Sequence, residues 1–495
     1  MIHTPHVDWF AISTILVLLG ASFVALLGAV LIPARARRAF AASVSALGFV
    51  GGLVTSIWLY VDSANGHLVI SGAFYRDRWT MLSQIILCGI GFATSLVAVE
   101  HVARPRDEHI SEFFALLLAS TAGMTFFVGS GNLMVMFLAL EWFSIALYVM
   151  CAIDYDVEGS LEAGLKYLII GSFGSAALLF GSALVYGATG RIGFADIAHV
   201  VGSRGLAGDA LLVLGLAMII AGLGFKSSAA PFHMWTPDVY EGAPTTVTAF
   251  MSAATKVAAF ALAFRLLRTA FPQEEHLWSW AFAGIAVASL AIGNLAALVQ
   301  RNVKRMLAYS SISHAGFLLI GLSAGSALGG RALMYYLIVY AAMAFGSFAV
   351  LAARERELGE AVTLDNLAGF GWERPFLGVA MWFFLFGFAG LPLGGGFVAK
   401  FYVLAAAYRH GWAWLVIVGV IATLVSLYYY LAVVRAMYMR PSAELHVAPV
   451  RGGSPPREPL LHVAVGLALA VSVGSLFAVG PVIDLAKHAV NALPF

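Results

Sequence analysis

Charge is scarce in this sequence. Acidic and basic residues together make up 11% of it, against roughly 25% in an ordinary soluble domain, which excludes a water-soluble fold. Cysteine is nearly absent. Cys88 and Cys151 stand in separate apolar segments with no second thiol nearby, so the chain holds no iron–sulfur cluster, no thiolate metal site and no redox pair. Both read as packing residues. Glycine-rich phosphate loops, dinucleotide fingerprints in a strand-to-helix setting and histidine pairs at haem-like spacing are also missing. Any redox chemistry coupled to this chain must therefore happen elsewhere. A net charge of +2 spread over short loops offers no basic patch for nucleic acid. No Lys or Arg precedes the first apolar run, which extends to Ile32 and is too long for a signal-peptide core. The first helix is expected to be retained.

Apolar residues are what remain, at 61% of 495. They fall into runs of about 20 or more between polar punctuation, the length a helix needs to cross a hydrocarbon layer of roughly 30 Å. About 14 such runs can be counted, and an even number puts both termini on one side. With the termini outside, the inner loops carry 15 basic residues, Arg104, Arg106, Lys304, Arg305, Arg440, Arg451 and Arg457 among them. The outer segments carry 9, including Arg265 and Arg268. That excess places both termini outside. The fold class is an all-α polytopic membrane protein.

Lysine is rarer still, with six in the chain. Four of them, Lys166, Lys226, Lys256 and Lys400, lie within or beside apolar runs, where a charge is costly and commonly functional. Two runs are irregular. The run 375–408 is too long for one straight crossing and contains FAGLPLGGGF (388–397), whose Pro392 and glycines interrupt the helical ladder. GLGFKSSAAPFHMW (222–235) is broken in a similar way at Pro231. Each break falls in the fourth run of a five-run block, 112–268 and 276–434. Corresponding broken helices point to inverted repeats with an ion path near the membrane midplane.

Lys256 has about 12 apolar or small residues on each side, or about 18 Å of helix, whereas a lysine reaches only about 6 Å. Its ammonium must meet a carboxylate, a backbone carbonyl or internal water, in a proton-carrying or a purely structural role. Lys226 lies nearer the end of its run and could snorkel, but the break at Pro231 frees carbonyls and admits water beside it. Glu141 is the only carboxylate of its run; an ion pair with a lysine of another helix would favour both charged forms, and opening the pair would let the lysine release a proton. A static pair is the alternative. His314 and His233 have the intrinsic acidity for a proton relay, or serve in packing. Lys166 is ambiguous. Asp238 and Glu241 read as loop or cap residues.

These residues sit in three long motifs, FKSSAAPFHMWTPDVYEGAPTTVTAFMSAATKVAAF (225–260), QRNVKRMLAYSSISHAGFLLIGL (300–322) and FAGLPLGGGFVAKFYV (388–403). They closely resemble the proton-translocating, antiporter-like subunits of complex I, and within them the subunit N branch of bacterial NADH-quinone oxidoreductase. The resemblance is strongest over 112–434. It implies three N-terminal transmembrane helices (1–104), a first antiporter-like repeat (105–270), a second, inverted repeat (271–440) and a C-terminal helix (441–495). It further implies a switchable Glu141–Lys226 pair, Lys256 as central relay, Lys400 toward the outlet and His314 on the axis between the halves, with His233 and Lys166 as further relay candidates. No cofactor or metal would be bound by this chain; NADH, FMN, iron–sulfur clusters and quinone would belong to partner subunits, and other membrane-arm subunits, sister antiporter-like subunits among them, would be its partners in the bacterial inner membrane. The largest sister continues into a long lateral helix, whereas this sequence stops soon after its last run. The other sister carries glutamate where Lys400 stands. A subunit of a multisubunit sodium/proton antiporter, which shares the lysine and glutamate pattern, is the alternative.

Overall fold

A helix satisfies its own backbone polar groups, which is what a hydrocarbon environment demands. The computed structural model describes residues 7–63, 66–101, 110–439 and 458–493; Arg104, Arg106, Arg440, Arg451 and Arg457, and the segment boundaries at 104 and 440, lie outside the described residues. In chain order the elements are α1 (Ser13–Leu31), α2 (Ala34–Asp62), the hairpin β1 (His67–Val69) and β2 (Phe74–Arg76), α3 (Arg78–His101), α4 (Ile110–Val128), α5 (Leu133–Cys151), α6 (Glu158–Thr189), α7 (Phe194–Arg204), α8 (Ala210–Lys226), α9 (Trp235–Gly242), α10 (Thr245–Ala270), α11 (Glu275–Leu298), α12 (Val303–Ser323), α13 (Ala327–Leu358), α14 (Phe370–Glu373), α15 (Pro375–Ala389), α16 (Gly395–Arg409), α17 (Ala413–Met439), α18 (Pro459–Phe477) and α19 (Val479–Asn491).

Among the described residues, 12 helices are long and apolar enough to cross a membrane. α8 and α15 are shorter apolar helices, and each gives way to an unwound stretch and a second helical piece, α9 or α16. These are the two interruptions expected from sequence. At the second, Gly390 adopts φ +77°, which a side chain tolerates poorly. Close approach dictates Gly396: a Cβ there would lie 2.1 Å from the Gly387 carbonyl oxygen. Gly396→Ala is therefore expected to force α16 off the end of α15, an overpacking cost of at least about 1–3 kcal/mol. Native-gel quantification from membranes checks this; undiminished yield of folded protein contradicts it.

The two blocks repeat each other in backbone detail. Asn132 caps α5, its side chain accepting from Val135 N–H, and Asn302 caps α12 by accepting from Arg305 N–H. Each asparagine also bridges in antiparallel fashion to a residue 61 positions later, Gly193 and Thr363 respectively. The same two backbone bonds flank each bridge, Leu133 to Ile192 and Phe194 to Gly131 in one block, Val303 to Val362 and Leu364 to Arg301 in the other. α6 and α13 are both 32 residues long and both end on a left-handed glycine, Gly190 and Gly359. Two independent segments thus share one local design.

Burial grades inward. α10 is buried almost throughout, and α12 and α13 nearly so, whereas α1, α2, α6 and α17 present Leu, Val, Ile and Phe outward. α12 packs against both second pieces, α9 and α16, and so lies between the two breaks. The hairpin, α7 and α19 were not foreseen. The final run, read as 459–484, divides at Ala478 into α18 and an amphipathic α19, which buries Ala486, Ala489 and Val490 and leaves Asp484, Lys487 and His488 outside.

Candidate functional site

Lys226 is the last residue of α8, wholly buried where the helix stops. Its ammonium donates to Ser144 Oγ at 2.7 Å and Tyr167 OH at 3.1 Å. The rings of Phe143, Tyr167 and Tyr148 surround it at 4.5, 5.2 and 5.9 Å, an arrangement that holds a cation by its attraction to aromatic faces. Glu141 forms no salt bridge with it among the described residues. The carboxylate is near enough for its charge to act on Lys226, yet its Oε1 is buried without a hydrogen-bond partner. The expected pair is open, and two hydroxyls stand where the carboxylate was expected.

The carbonyls freed by the first break serve the neighbouring lysine. Lys256, fully buried at the middle of α10, donates to the Ser227 carbonyl at 3.0 Å. Ser227 follows Lys226 directly, so the break joins the two lysines. His314 on α12 lies within electrostatic range of both Lys256 and Lys400. Its Nδ1 meets Tyr336 OH at 2.7 Å and its Nε2 meets Tyr430 OH at 3.2 Å. In a neutral ring one nitrogen donates while the other accepts. Lys400, on α16 just past the second break, is buried with Nζ 4.5 Å over the Phe317 ring and no hydrogen-bond partner among the described residues. Glu141, Lys226, Lys256, His314 and Lys400 therefore follow one another across α5, α8, α10, α12 and α16.

Two candidates lie off this line. His233 sits in the unwound stretch, half-buried, with Nδ1 lacking a hydrogen-bond partner among the described residues. Lys166 stands at the start of α6 with its side chain 40% exposed, and pairs with Glu162 at 2.6 Å and Asp238 at 2.9 Å.

Sequence reasoning missed two charge clusters. Asp238 and Glu241 are not free loop residues: both bind Arg305, at 2.8 and 2.7 Å, and Asn302 donates to Glu241 at 2.9 Å. Lys304, assigned to a loop, is buried and donates to the Ala243 carbonyl at 3.0 Å, with Glu355 at 3.5 Å. These contacts fasten α9 and the start of α10 to the second block. The spacing of Asp238 and Glu241 on a short helix facing an Asn-x-x-Arg cap was the available signal.

The second cluster overturns the placing of Arg265 in an outer loop. Its guanidinium is fully buried on α10 and grips Asp77 with two bonds of 2.6 and 2.8 Å, adding Thr80 Oγ1 at 2.8 Å. Nearby, Arg76 binds Asp8 at 3.0 Å. Burial opposes the Asp8 carboxylate, but the Ala11 and Phe10 amides and Arg76 hold it below the usual carboxylate range. Its contribution is present above the ordinary value and is lost as pH falls through the lowered one.

Residues 130–426 match a family described as "NADH:quinone oxidoreductase/Mrp antiporter, TM". NADH-quinone oxidoreductase subunit N of Trichlorobacter lovleyi is 40% identical over 419 residues, covering 84% of each chain. Subunit N 2 of Roseiflexus castenholzii is 37% identical and covers 98% of this chain and 97% of its own. Among solved structures, a chain of respiratory complex I from Thermus thermophilus superposes with a TM-score of 0.79 at 30% identity, covering 96% of this chain and 99% of that one. The Mrp complex from Dietzia gives 0.84 at 20% identity, over 98% of this chain and 97% of its own, a likeness of fold.

Proposed function

This chain belongs to the NADH-quinone oxidoreductase subunit N family, and from that membership we propose that it carries protons across the membrane arm of a proton-pumping NADH:quinone oxidoreductase. The observation that supports the reading is the succession of ionisable groups, the part-buried Glu141 and the buried Lys226, Lys256, His314 and Lys400, threaded past two helix breaks. Quinone chemistry in other subunits alters the charge balance at Glu141. When the Glu141–Lys226 pair is open, Lys226 is free to pass a proton toward Lys256 across the Ser227 break; His314, held between two tyrosine hydroxyls, hands it on toward Lys400. Each broken helix makes one crossing, which with the 12 long helices gives fourteen. The segments 105–270 and 271–440 are the two inverted repeats, behind three N-terminal helices and before a C-terminal one. His233 and Lys166 have no necessary place in this relay.

Cofactors belong to partners: NADH, FMN, iron–sulfur clusters and quinone reside in other subunits. Glu141 indicates where one membrane partner docks. It interrupts an outward stripe of α5 formed by Met134, Leu138, Ile145 and Val149, each about half exposed, and a carboxylate facing lipid is costly. A sister antiporter-like subunit covers that face. The chain lies in the bacterial inner membrane with both termini outside. A sodium/proton antiporter subunit is the second reading; its support is the Mrp likeness of fold.

Gentle solubilisation of tagged protein, followed by assay of the co-migrating fraction for NADH-dependent quinone reduction, tests the proposal. Redox subunits and activity are expected to co-purify. Isolation with membrane subunits alone, showing sodium/proton exchange without redox activity, contradicts it.

A further inference from the structure

We propose that Ser144 and Tyr167 form a neutral seat for the Lys226 ammonium, positioning residues that receive it whenever it is parted from Glu141. The inference rests on the reading of Lys226 as a proton carrier. It adds the place that the lysine occupies in the open state.

Two independent observations carry it. The first is the contact itself. The wholly buried ammonium has no carboxylate within salt-bridge distance among the described residues, and is instead held by Ser144 Oγ and Tyr167 OH inside an aromatic enclosure. Ser144 donates its own O–H to the Leu140 carbonyl at 2.5 Å, which leaves its oxygen turned to the ammonium as an acceptor. Tyr167 is fixed by a stacked Trp235 at 4.6 Å and an edge-on Tyr148 at 4.8 Å. Both acceptors are thus oriented before the lysine arrives.

The second is the internal repeat. Counted from the capping asparagines Asn132 and Asn302, Ser144 falls on the same helical position as His314. Counted back from the left-handed glycines Gly190 and Gly359, Tyr167 falls on the same position as Tyr336. In the second repeat those counterparts bond to each other, His314 Nδ1 to Tyr336 OH at 2.7 Å. In the first repeat the corresponding hydroxyls bond to the lysine. A serine is too short to span the distance an imidazole covers, and the Lys226 ammonium fills that gap. The same hydrogen-bonding station is built twice, once with histidine as the titrating group and once with a visiting lysine.

A neutral seat has a defined consequence. Two hydroxyl acceptors favour the protonated amine without committing it to a carboxylate, so the lysine stays loaded until it moves on. Without one of them the protonated form is held less firmly, and loading fails at a lower pH. The ionisable groups facing Lys226 are Glu141, Tyr148 and Cys151 from α5 and Tyr167 from α6; Lys256 of α10 binds the adjoining Ser227 carbonyl. Of these, only Tyr167 is altered in the test.

The experiment uses the whole complex in inverted membrane vesicles. It measures NADH-driven proton uptake, NADH:quinone reductase rate and subunit content from neutral to alkaline pH. Tyr167→Phe and Ser144→Ala are each expected to slow proton uptake several-fold at alkaline pH, with its decline starting about one pH unit lower than in the parent, the shift expected from a lost hydrogen bond to a charged group. Ser144→Thr, which keeps the hydroxyl, is expected to restore the parent profile. Parent-like uptake at every pH in both hydroxyl variants, with Lys226→Ala inactive, overturns the seat and leaves the carrier reading standing. Parent-like uptake in Lys226→Ala overturns both. If Tyr167→Phe fails to assemble, the Ser144→Ala and Ser144→Thr pair decides: equal profiles overturn the proposal, and loss in alanine with recovery in threonine supports it.

Discussion

Lys256→Ala is expected to leave an assembled complex whose proton uptake falls about tenfold or more, with coupled quinone reduction falling alongside it. The side chain lies at the centre of α10, fully buried, and its one hydrogen bond reaches the Ser227 carbonyl across the break. Alanine removes the only ionisable group of α10 at this depth. A proton leaving Lys226 then has no base to receive it before His314. The structural cost is limited by comparison. It comprises the cavity left by four side-chain atoms, about 2–5 kcal/mol, and one carbonyl deprived of its donor, about 1–3 kcal/mol, and it is offset by the relief of no longer burying an amine. Subunit content and proton uptake measured on the same vesicles separate transport from assembly. Parent-level uptake in the assembled variant contradicts the role given to Lys256.

Arg265→Ala is expected to act in the opposite way, through stability. Asp77 and Arg265 are 1% and 0% exposed, and losing one partner of a buried pair strands the other charge at a cost of about 3–5 kcal/mol. At about 1.4 kcal/mol per tenfold, that lowers the folded fraction by more than a hundredfold where stability is limiting. The pair joins the start of α3 to the C-terminal part of α10, the helix that carries Lys256. The variant is therefore expected to give little assembled complex and a lower melting temperature. Asp77→Leu combined with Arg265→Met is expected to recover much of the loss, since an apolar pair of similar volume leaves no charge unpaired. A double variant as poor as the single one contradicts this account.

The helical membrane architecture, the two breaks and the lysines beside them were legible because each is a local property. Run length, Pro392 or Pro231, and a charge in an apolar run can all be read without knowing a neighbour. Arg265 and Lys304 were misplaced because arginine or lysine near the end of a run looks the same whether it meets water or a carboxylate from another helix. Ser144 and Tyr167 gave no signal for a similar reason: a serine and a tyrosine in apolar helices are ordinary, and their relation to Lys226 arises from the packing of α5 and α6 around the end of α8. The open Glu141–Lys226 pair was invisible too, since sequence names both members and leaves their separation unspecified. Helix α19 was overlooked because a short amphipathic element blurs into the long apolar run beside it, and hairpin β1–β2 because two strands of three residues are too short to carry a periodic pattern.

The central claim is that protons cross the membrane through the line that starts at Glu141, and the most direct test is the number of protons moved per electron delivered to quinone. The measurement compares proteoliposomes holding the parent complex with proteoliposomes holding a fully assembled Glu141→Gln complex. Glutamine keeps the size of the side chain and removes the charge that governs Lys226. The account predicts a lower proton-to-electron ratio, or a loss of turnover where transport and redox chemistry are tightly coupled. An unchanged ratio at an unchanged rate, with every subunit present, would contradict it.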